Sequence, residues 1–315
     1  MLKRIMDNAI ALFVVIVVLF LFIPLRPWML DILLIINIGL SIMILMITMN
    51  ITDALDFSIF PSLLLITTLF RLGMNVSSTR MILTTGDPGE VIKNFGNLVT
   101  QGNVVVGFVI FFIIVLVQLI VITKGAERVS EVAARFTLDA MPGKQMAIDA
   151  DLSSGLIDEQ AARLRREKIQ KEADFYGAMD GATKIVKGDS TMSIVITVIN
   201  LVGGIIIGMV VNGGSFGDVV SRYCILTIGD GLVSQIPSLM ISTATGMIVT
   251  RSVSEGSLNV DVVNQFKAQP RAIMTTGVIL LILGAIPGTP TVPLLVGGVA
   301  LVAGGILDED GKSEA

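Results

Sequence analysis

The sequence predicts an all-α polytopic membrane protein: about eight transmembrane helices, with a small helical cytoplasmic insert between the fourth and fifth. Three observations carry that expectation. Of the 315 residues, 53% are hydrophobic and only 15% charged, with a mean hydropathy of +0.84, whereas a soluble domain carries about 25% charged residues. The apolar residues gather in runs near the ~20 positions that cross a bilayer core. The charges are segregated: residues 123–190 hold 11 Lys/Arg and 12 Asp/Glu out of totals of 22 and 26.

The spans follow in chain order. Asn8–Ile23 comes after Lys3-Arg4 and resembles a signal peptide. It is followed by Pro24-Leu25-Arg26-Pro27-Trp28 and not by a small-residue cleavage site, so it reads as a retained first span. Trp28–Met49 is the second, Phe57–Leu72 with its internal Pro61 the third, and Val104–Ile122 the fourth, which makes 1–122 the first membrane segment. After the insert at 123–190, the segment 191–307 holds Met192–Val211, Tyr223–Thr250, Arg271–Ile286 and Val292–Leu307. Residues 308–315 are acidic and lack an apolar pattern, as the start of a linker to a further cytosolic domain would. With both termini cytoplasmic, the inner segments carry 17 Lys/Arg and the outer ones 5, the asymmetry expected of cytoplasmic loops.

Composition also excludes functions. There is no histidine and one cysteine, Cys224, so a Ser/His/Asp set, a disulfide framework and a Cys-based zinc site all fall away. A net charge of −4 supplies no basic field for nucleic acid. Gly143-Lys144-Gln145 lacks the other residues of a P-loop. Asp149–Ser154 begins like a calcium loop, but Ser154 stands where glycine is needed and Gln160 where glutamate is needed. The chain is not expected to be an enzyme, to bind a metal or to carry a cofactor.

Within the membrane the least lipid-like span is Tyr223–Thr250. Thr227, Asp230, Ser234, Ser238, Ser242 and Thr245 recur at steps of 3, 4, 4, 4 and 3, one face of a helix. Pro237 frees a carbonyl one turn earlier, and Gly229 and Gly231 flank the carboxylate, leaving room for water or an ion. Such a face is costly against lipid. It reads either as the wall of an ion path with Asp230 titrating, or as interhelical hydrogen bonding with Asp230 neutral or paired to Arg71 or Arg80. Those two arginines also read as side chains reaching the outer interface. The small-residue pairs Gly204/Gly208 and Gly284/Gly288 permit close helix approach, but with 31 glycines such pairs carry little weight.

In the insert, Glu127–Leu138 reads as an amphipathic helix with Val129, Val132, Ala133 and Phe136 on one face, and Pro142-Gly143 as a turn. A second helix starts at the N-cap Asp158, with Ala161, Leu164, Ile169, Ala173, Tyr176 and Met179 as its stripe and Glu167 placed favourably before Lys171.

The string Arg135-Phe136-Thr137-Leu138-Asp139-Ala140-Met141-Pro142-Gly143-Lys144-Gln145-Met146-Ala147-Ile148-Asp149-Ala150-Asp151 resembles the signature of the FHIPEP family. Asp174-Phe175-Tyr176-Gly177-Ala178-Met179-Asp180-Gly181-Ala182, Val186-Lys187-Gly188-Asp189, Thr67-Thr68-Leu69-Phe70-Arg71-Leu72, Asn75-Val76 and Ser78-Thr79-Arg80 continue it along nearly the whole chain. The Met146–Asp151 and Glu172–Tyr176 strings look more like the family's flagellar branch than its virulence-secretion branch.

The resemblance implies an inner-membrane subunit of the type III export gate in the flagellar basal body. It implies a homo-oligomeric, nonameric ring beside other export-gate membrane subunits. It also implies a C-terminal cytosolic domain, outside this sequence, that meets the export ATPase complex and chaperone–substrate complexes. Coupling of H⁺ or Na⁺ flow to export is implied as well, through Arg128, Arg135, Asp139, Lys184, Asp189 and Asp230. Of these, only Asp230 also follows from the residues themselves. For Asp189 a physical account is an ion-receiving carboxylate beside Lys187 that changes partners. Arg128, Arg135 and Asp139 lie near one helical face, which also reads as an ordinary solvated charged face. A small-solute secondary transporter and a ring scaffold without its own ion path are the competing readings.

Overall fold

The structure is a computed structural model that describes residues 8–253, 258–286 and 289–313. Lys3-Arg4 and Gly288 lie outside them. Two compact units, Met1–Val253 and Ser254–Ala315, are taken separately.

In the first unit the helices are α1 Ala9–Phe20, α2 Pro27–Asn50, α3 Phe60–Thr84, α4 Glu90–Thr100, α5 Val104–Val117, α6 Lys124–Ser153, α7 Glu159–Ile206 and α8 Phe216–Val249. A 3-10 turn, Ala54–Phe57, precedes α3, and π-helical turns at Gln118–Thr123 and Ile207–Val211 follow α5 and α7. Every described element is helical. Among the described residues, five stretches are long and apolar enough to cross a membrane: Pro27–Asn50, Ala54–Thr84, Val104–Ser153, Glu159–Val211 and Phe216–Val249. At the expected first, seventh and eighth spans stand shorter apolar helices, Ile10–Phe20, Pro270–Gly284 and Thr291–Leu307, below the ~20 residues of a full crossing.

Several expectations for the insert need correction. It is not a separate element, because its arms are continuations of the flanking spans. α7 runs unbroken for 48 residues, about 72 Å at 1.5 Å per residue, so the second insert helix and the fifth span are one rod. Pro142-Gly143 does not turn the chain; α6 passes through Pro142. Packing on both sides of the proline holds the helix against the loss of one backbone bond, since Ala134 and Ile148 are each buried. The buried face of α6 is Ser130 and Ala134, one residue round from Val129 and Ala133, while Phe136 is exposed. Small residues there let α7 come close. Asp158 does cap α7, accepting from the Ala161 N–H at 2.6 Å; of the expected stripe, Leu164 alone is exposed.

The two arms end in different cores. Ile148, Ala162 and Ile169 form a small cluster at the tip. Nearer the spans, Phe175, Tyr176, Met179, Ala182 and Val186 of α7 pack with Phe57, Phe60, Leu64, Ile241 and Ile248. That cluster seats the insert on one end of α3 and α8.

Asp53 adds a polar tether there. It caps the 3-10 turn through the Leu55 N–H at 3.0 Å and takes a bond from Lys168 at 3.1 Å. The Leu55 bond, helped by Lys168, outweighs partial burial and holds the Asp53 carboxyl below its usual range; Asp53 in turn raises Lys168. The tether is therefore intact above about pH 3.9 and lost as pH falls through the lower folded value; it is also lost as pH rises through the raised Lys168 value, above about 10.4. Both side chains are substantially exposed, so the contribution stays below about 1 kcal/mol. An NMR titration of Asp53 is expected to show a midpoint below about 3.9 that climbs in Lys168→Ala; an unshifted midpoint contradicts the tether.

α8 is the centre of the unit: 78% of its most apolar window is buried, against 22% for α7 and 28% for α2. Glycines let it be so. A Cβ on Gly229 would strike the Ile92 carbonyl of α4, and one on Gly96 of α4 would strike the Ile225 carbonyl. Gly229→Ala is thus expected to cost at least about 1–3 kcal/mol in thermal unfolding, whereas Gly246→Ala, into open space, is expected to be neutral. Equal effects would contradict this backbone-to-backbone crossing.

In the second unit α9 Leu258–Lys267 leads to the paired helices α10 Pro270–Gly284 and α11 Thr291–Ser313. The α10–α11 contact is again glycine-mediated, since a Cβ on Gly277 would lie 2.8 Å from the Gly298 carbonyl oxygen. α11 remains helical through the acidic residues to Ser313.

Candidate functional site

The polar face of α8 points into protein. Thr227, Asp230, Ser234, Ser238, Ser242 and Thr245 are all buried. Around Asp230 three helices meet. Asn200 of α7 donates from Nδ2 to the Asp230 carboxylate at 2.9 Å, and the Ser78 hydroxyl of α3 faces the same group. The Ser234 hydroxyl is shared between Asn75 Oδ1 of α3 at 2.7 Å and the Asp230 carbonyl at 2.9 Å. Asp230 is thus held by neutral groups; among the described residues it has no ion-pair partner.

Neither arginine offered as its partner reaches it. Arg71 forms an ion pair with Asp189 of α7, both side chains 2% exposed. The Arg71 head therefore lies inside the protein and does not reach for an interface. The guanidinium Nε and Nη1 and the Asp189 Oδ1 find no further hydrogen bond within the chain. Arg80 donates to the Leu21 and Phe22 carbonyls at 2.6 and 3.1 Å, covering the C-terminal end of α1 where the helix dipole favours a cation. The reason is spacing along α3: Asn75 and Ser78, one and two turns beyond Arg71, occupy the level of Asp230, and Arg71 stands at the level of Asp189. Asp189 consequently pairs across helices and not with its neighbour Lys187, which bonds Glu127 at 2.8 Å.

The remaining charged candidates stay apart from this centre. Arg128 pairs with Glu131 at 2.7 Å, Arg135 with Asp139 at 3.7 Å and Lys184 with Asp180 at 2.8 Å, all local on one helix and with basic side chains 60–82% exposed. Solvent-exposed pairs of this kind add little to stability. In this structure they form solvated faces of the insert.

Gly229 and Gly231 do not open space beside Asp230. The first is occupied by the α4 backbone and the second by the Phe111 ring, 2.5 Å from a built Cβ. Gly204 and Gly208 likewise admit Tyr223 and Val219 of α8, so that small-residue pair is used. The space lies elsewhere along α8: a recess of about 320 Å³ beside Asp87, Lys93 and Arg222 at one end, a cavity of about 20 Å³ at Gln235, and one of about 10 Å³ at Ser242 and Thr245. The hydroxyls of Thr227, Ser238 and Ser242 and the Oε1 atoms of Gln118 and Gln235 are buried without a partner in the chain, each a group whose desolvation costs about 1–3 kcal/mol.

A second polar face lies on α7, where the hydropathy pattern does not announce it. On α7, Ser190, Ser193, Thr197 and Asn200 recur at steps of 3, 4 and 3 and turn toward α8. The spacing was there to be read, but these residues are diluted among aliphatic ones. No cluster of three or more Asp, Glu, His or Cys able to hold a metal occurs among the described residues.

The FHIPEP family model matches residues 17–315. The chain is 55% identical over 311 residues to the flagellar biosynthesis protein FlhA of Bacillus subtilis, covering 98% of this chain and 46% of that protein. It is 49% identical over 303 residues to the low calcium response locus protein D of Yersinia pestis, covering 96% and 43%. The FlhA of Caulobacter vibrioides is 49% identical over 305 residues, covering 95% and 43%. The chain thus spans a little under half the length of the curated relatives it matches. No solved structure matches it.

Proposed function

The chain belongs to the FHIPEP family, and on that premise we propose that it is an inner-membrane export-gate subunit of a flagellar type III secretion apparatus, coupling H⁺ or Na⁺ flow to the export of unfolded substrates. The observation that carries this reading is the buried carboxylate of Asp230 on a continuous polar face, held by Asn200, faced by Ser78 and, among the described residues, without a cationic partner. A charge at mid-membrane costs about 2.5–3.5 kcal/mol on insertion scales. A group kept there for packing alone is better served by a neutral side chain or a permanent counter-ion. One that takes and releases an ion needs neutral, polar partners.

α7 supplies the coupling element. It touches Asp230 through Asn200, Arg71 through Asp189, and carries the insert on the same rod. A change of charge at Asp230 alters the Asn200 contact, and a rigid helix passes that change to the insert. In this reading the transported ion takes the place of any cofactor, there is no enzymatic step, and Arg128, Arg135, Asp139 and Lys184 act from the solvated insert toward other export components. The insert and both termini face the cytoplasm, and copies of the chain form a ring.

The test is export by the complete protein carrying Asp230→Asn in cells lacking the native gene. Loss of export with normal insertion is expected. Normal export would favour a ring scaffold with no ion path of its own.

A further inference from the structure

A cavity of about 20 Å³ lies between the π-helical turn after α5, the polar face of α7 and α8. By this measure about 10–15 Å³ accommodates one water-sized body, so the cavity takes one small species. Its polar lining is Gln118, Ser190, Ser193, Thr197 and Gln235. Gln118 and Gln235 are each 6% exposed, and the Oε1 of each is buried without a hydrogen-bond partner in the chain. Ser190 and Thr197 commit their hydroxyl protons to carbonyls of their own helix, at 3.3 and 2.9 Å. Thr197 therefore turns oxygen lone pairs, not a proton, toward the space. Gln118 opens a π-helical turn, the kind of helix interruption that re-aims side chains at functional sites.

We propose that this cavity is a binding site for one dehydrated alkali-metal cation, with Gln118 Oε1, Gln235 Oε1 and Thr197 Oγ1 as its core ligands and Ser193 completing the shell. The chemistry selects the class. Neutral oxygens replacing a hydration shell suit a monovalent cation. A divalent cation is ordinarily held by carboxylates, and none lines the cavity. An anion would meet oxygen lone pairs, and a proton would find no titratable side chain among the lining residues. Thr197 lies three residues before Asn200 on α7, and Gln235 five after Asp230 on α8. The site is thus roughly one to one and a half turns from the level of Asp230, about 4.5–7.5 Å along the helices. This placement deepens the ion-coupling reading and rests on it for its role, though the binding itself does not.

The experiment uses the 315-residue chain in lipid nanodiscs, unfolded thermally in NaCl, in KCl and in choline chloride at equal ionic strength. A cation bound only by the folded state favours it by 1 + [L]/Kd, about elevenfold at ten times Kd, so the melting temperature in NaCl or KCl is expected to exceed that in choline. The increment should vanish in Thr197→Val and in Gln235→Met. Both cavity variants are nearly isosteric, and their melting in choline reports separately whether they fold. Equal melting of the wild type in all three salts, with only water occupying the cavity, would overturn the proposal, as would an increment that survives both variants. Wild-type ion flux measured on the same preparation separates the two readings: flux without a cation increment sinks this site alone, and an increment without flux sinks the ion-coupling reading alone.

Discussion

Arg71→Ala and Asp189→Ala are each expected to destabilise the first unit by about 3–5 kcal/mol, because each leaves one buried charge without its counter-ion. Both side chains are 2% exposed and pair across α3 and α7. The remaining guanidinium or carboxylate cannot move to water. In the membrane unit this appears as a lower unfolding temperature and reduced accumulation. Exchange of the pair, Arg71→Asp with Asp189→Arg, is expected to recover part of the stability. Replacement of both by apolar residues, Arg71→Met with Asp189→Leu, is expected to recover most of it, since well-packed apolar groups often equal a buried pair. Export separates structure from function here. If the pair links α3 to the α7 rod as a charge-sensitive joint, the apolar double variant folds but exports poorly, and full export from it would reduce the pair to packing.

Asp230→Asn is expected to leave folding within about 1 kcal/mol and to lower ion-coupled export at least about a hundredfold, the low end of what a positioned proton-transfer group contributes. Asparagine keeps an oxygen to accept from the Asn200 amide, so the α3–α7–α8 junction stays bonded. It cannot exchange a proton. Asp230→Leu is the informative contrast, because it leaves Asn200 Nδ2 buried opposite an apolar group, at about 1–3 kcal/mol for that orphan, while the Ser78 hydroxyl keeps its bond to the Asn75 carbonyl at 3.0 Å. Export lost in the Leu variant alone would point to packing. Export lost in both, with the Asn variant stable, points to the carboxylate.

The α8 face and its buried carboxylate were legible because polar residues at steps of 3 and 4 stand out in an apolar span. The partner of Asp230 was not. Pairing opposite charges is the natural guess from a list of residues, but which turn of α3 sits level with Asp230 is decided by packing of Phe60 and Leu64 against α7 and α8, and that packing puts Arg71 beside Asp189. The insert failed differently. Pro142-Gly143 looks like a turn locally, yet burial of Ala134 and Ile148 on either side carries the helix through. Gly229 and Gly231 show the same limit, since a glycine that makes room does not say what fills it; here α4 and Phe111 do. The α7 face from Ser190 to Asn200 is present in the spacing but hidden in the hydropathy profile, which four short polar side chains do not interrupt.

The most direct test of the central claim is ion flux through the purified chain in sealed lipid vesicles, with an imposed H⁺ or Na⁺ gradient, for the wild type and Asp230→Asn. The account predicts gradient-driven flux in the wild type and its loss in the Asn variant, with both proteins equally inserted and equally stable. Undiminished flux through Asp230→Asn would contradict it.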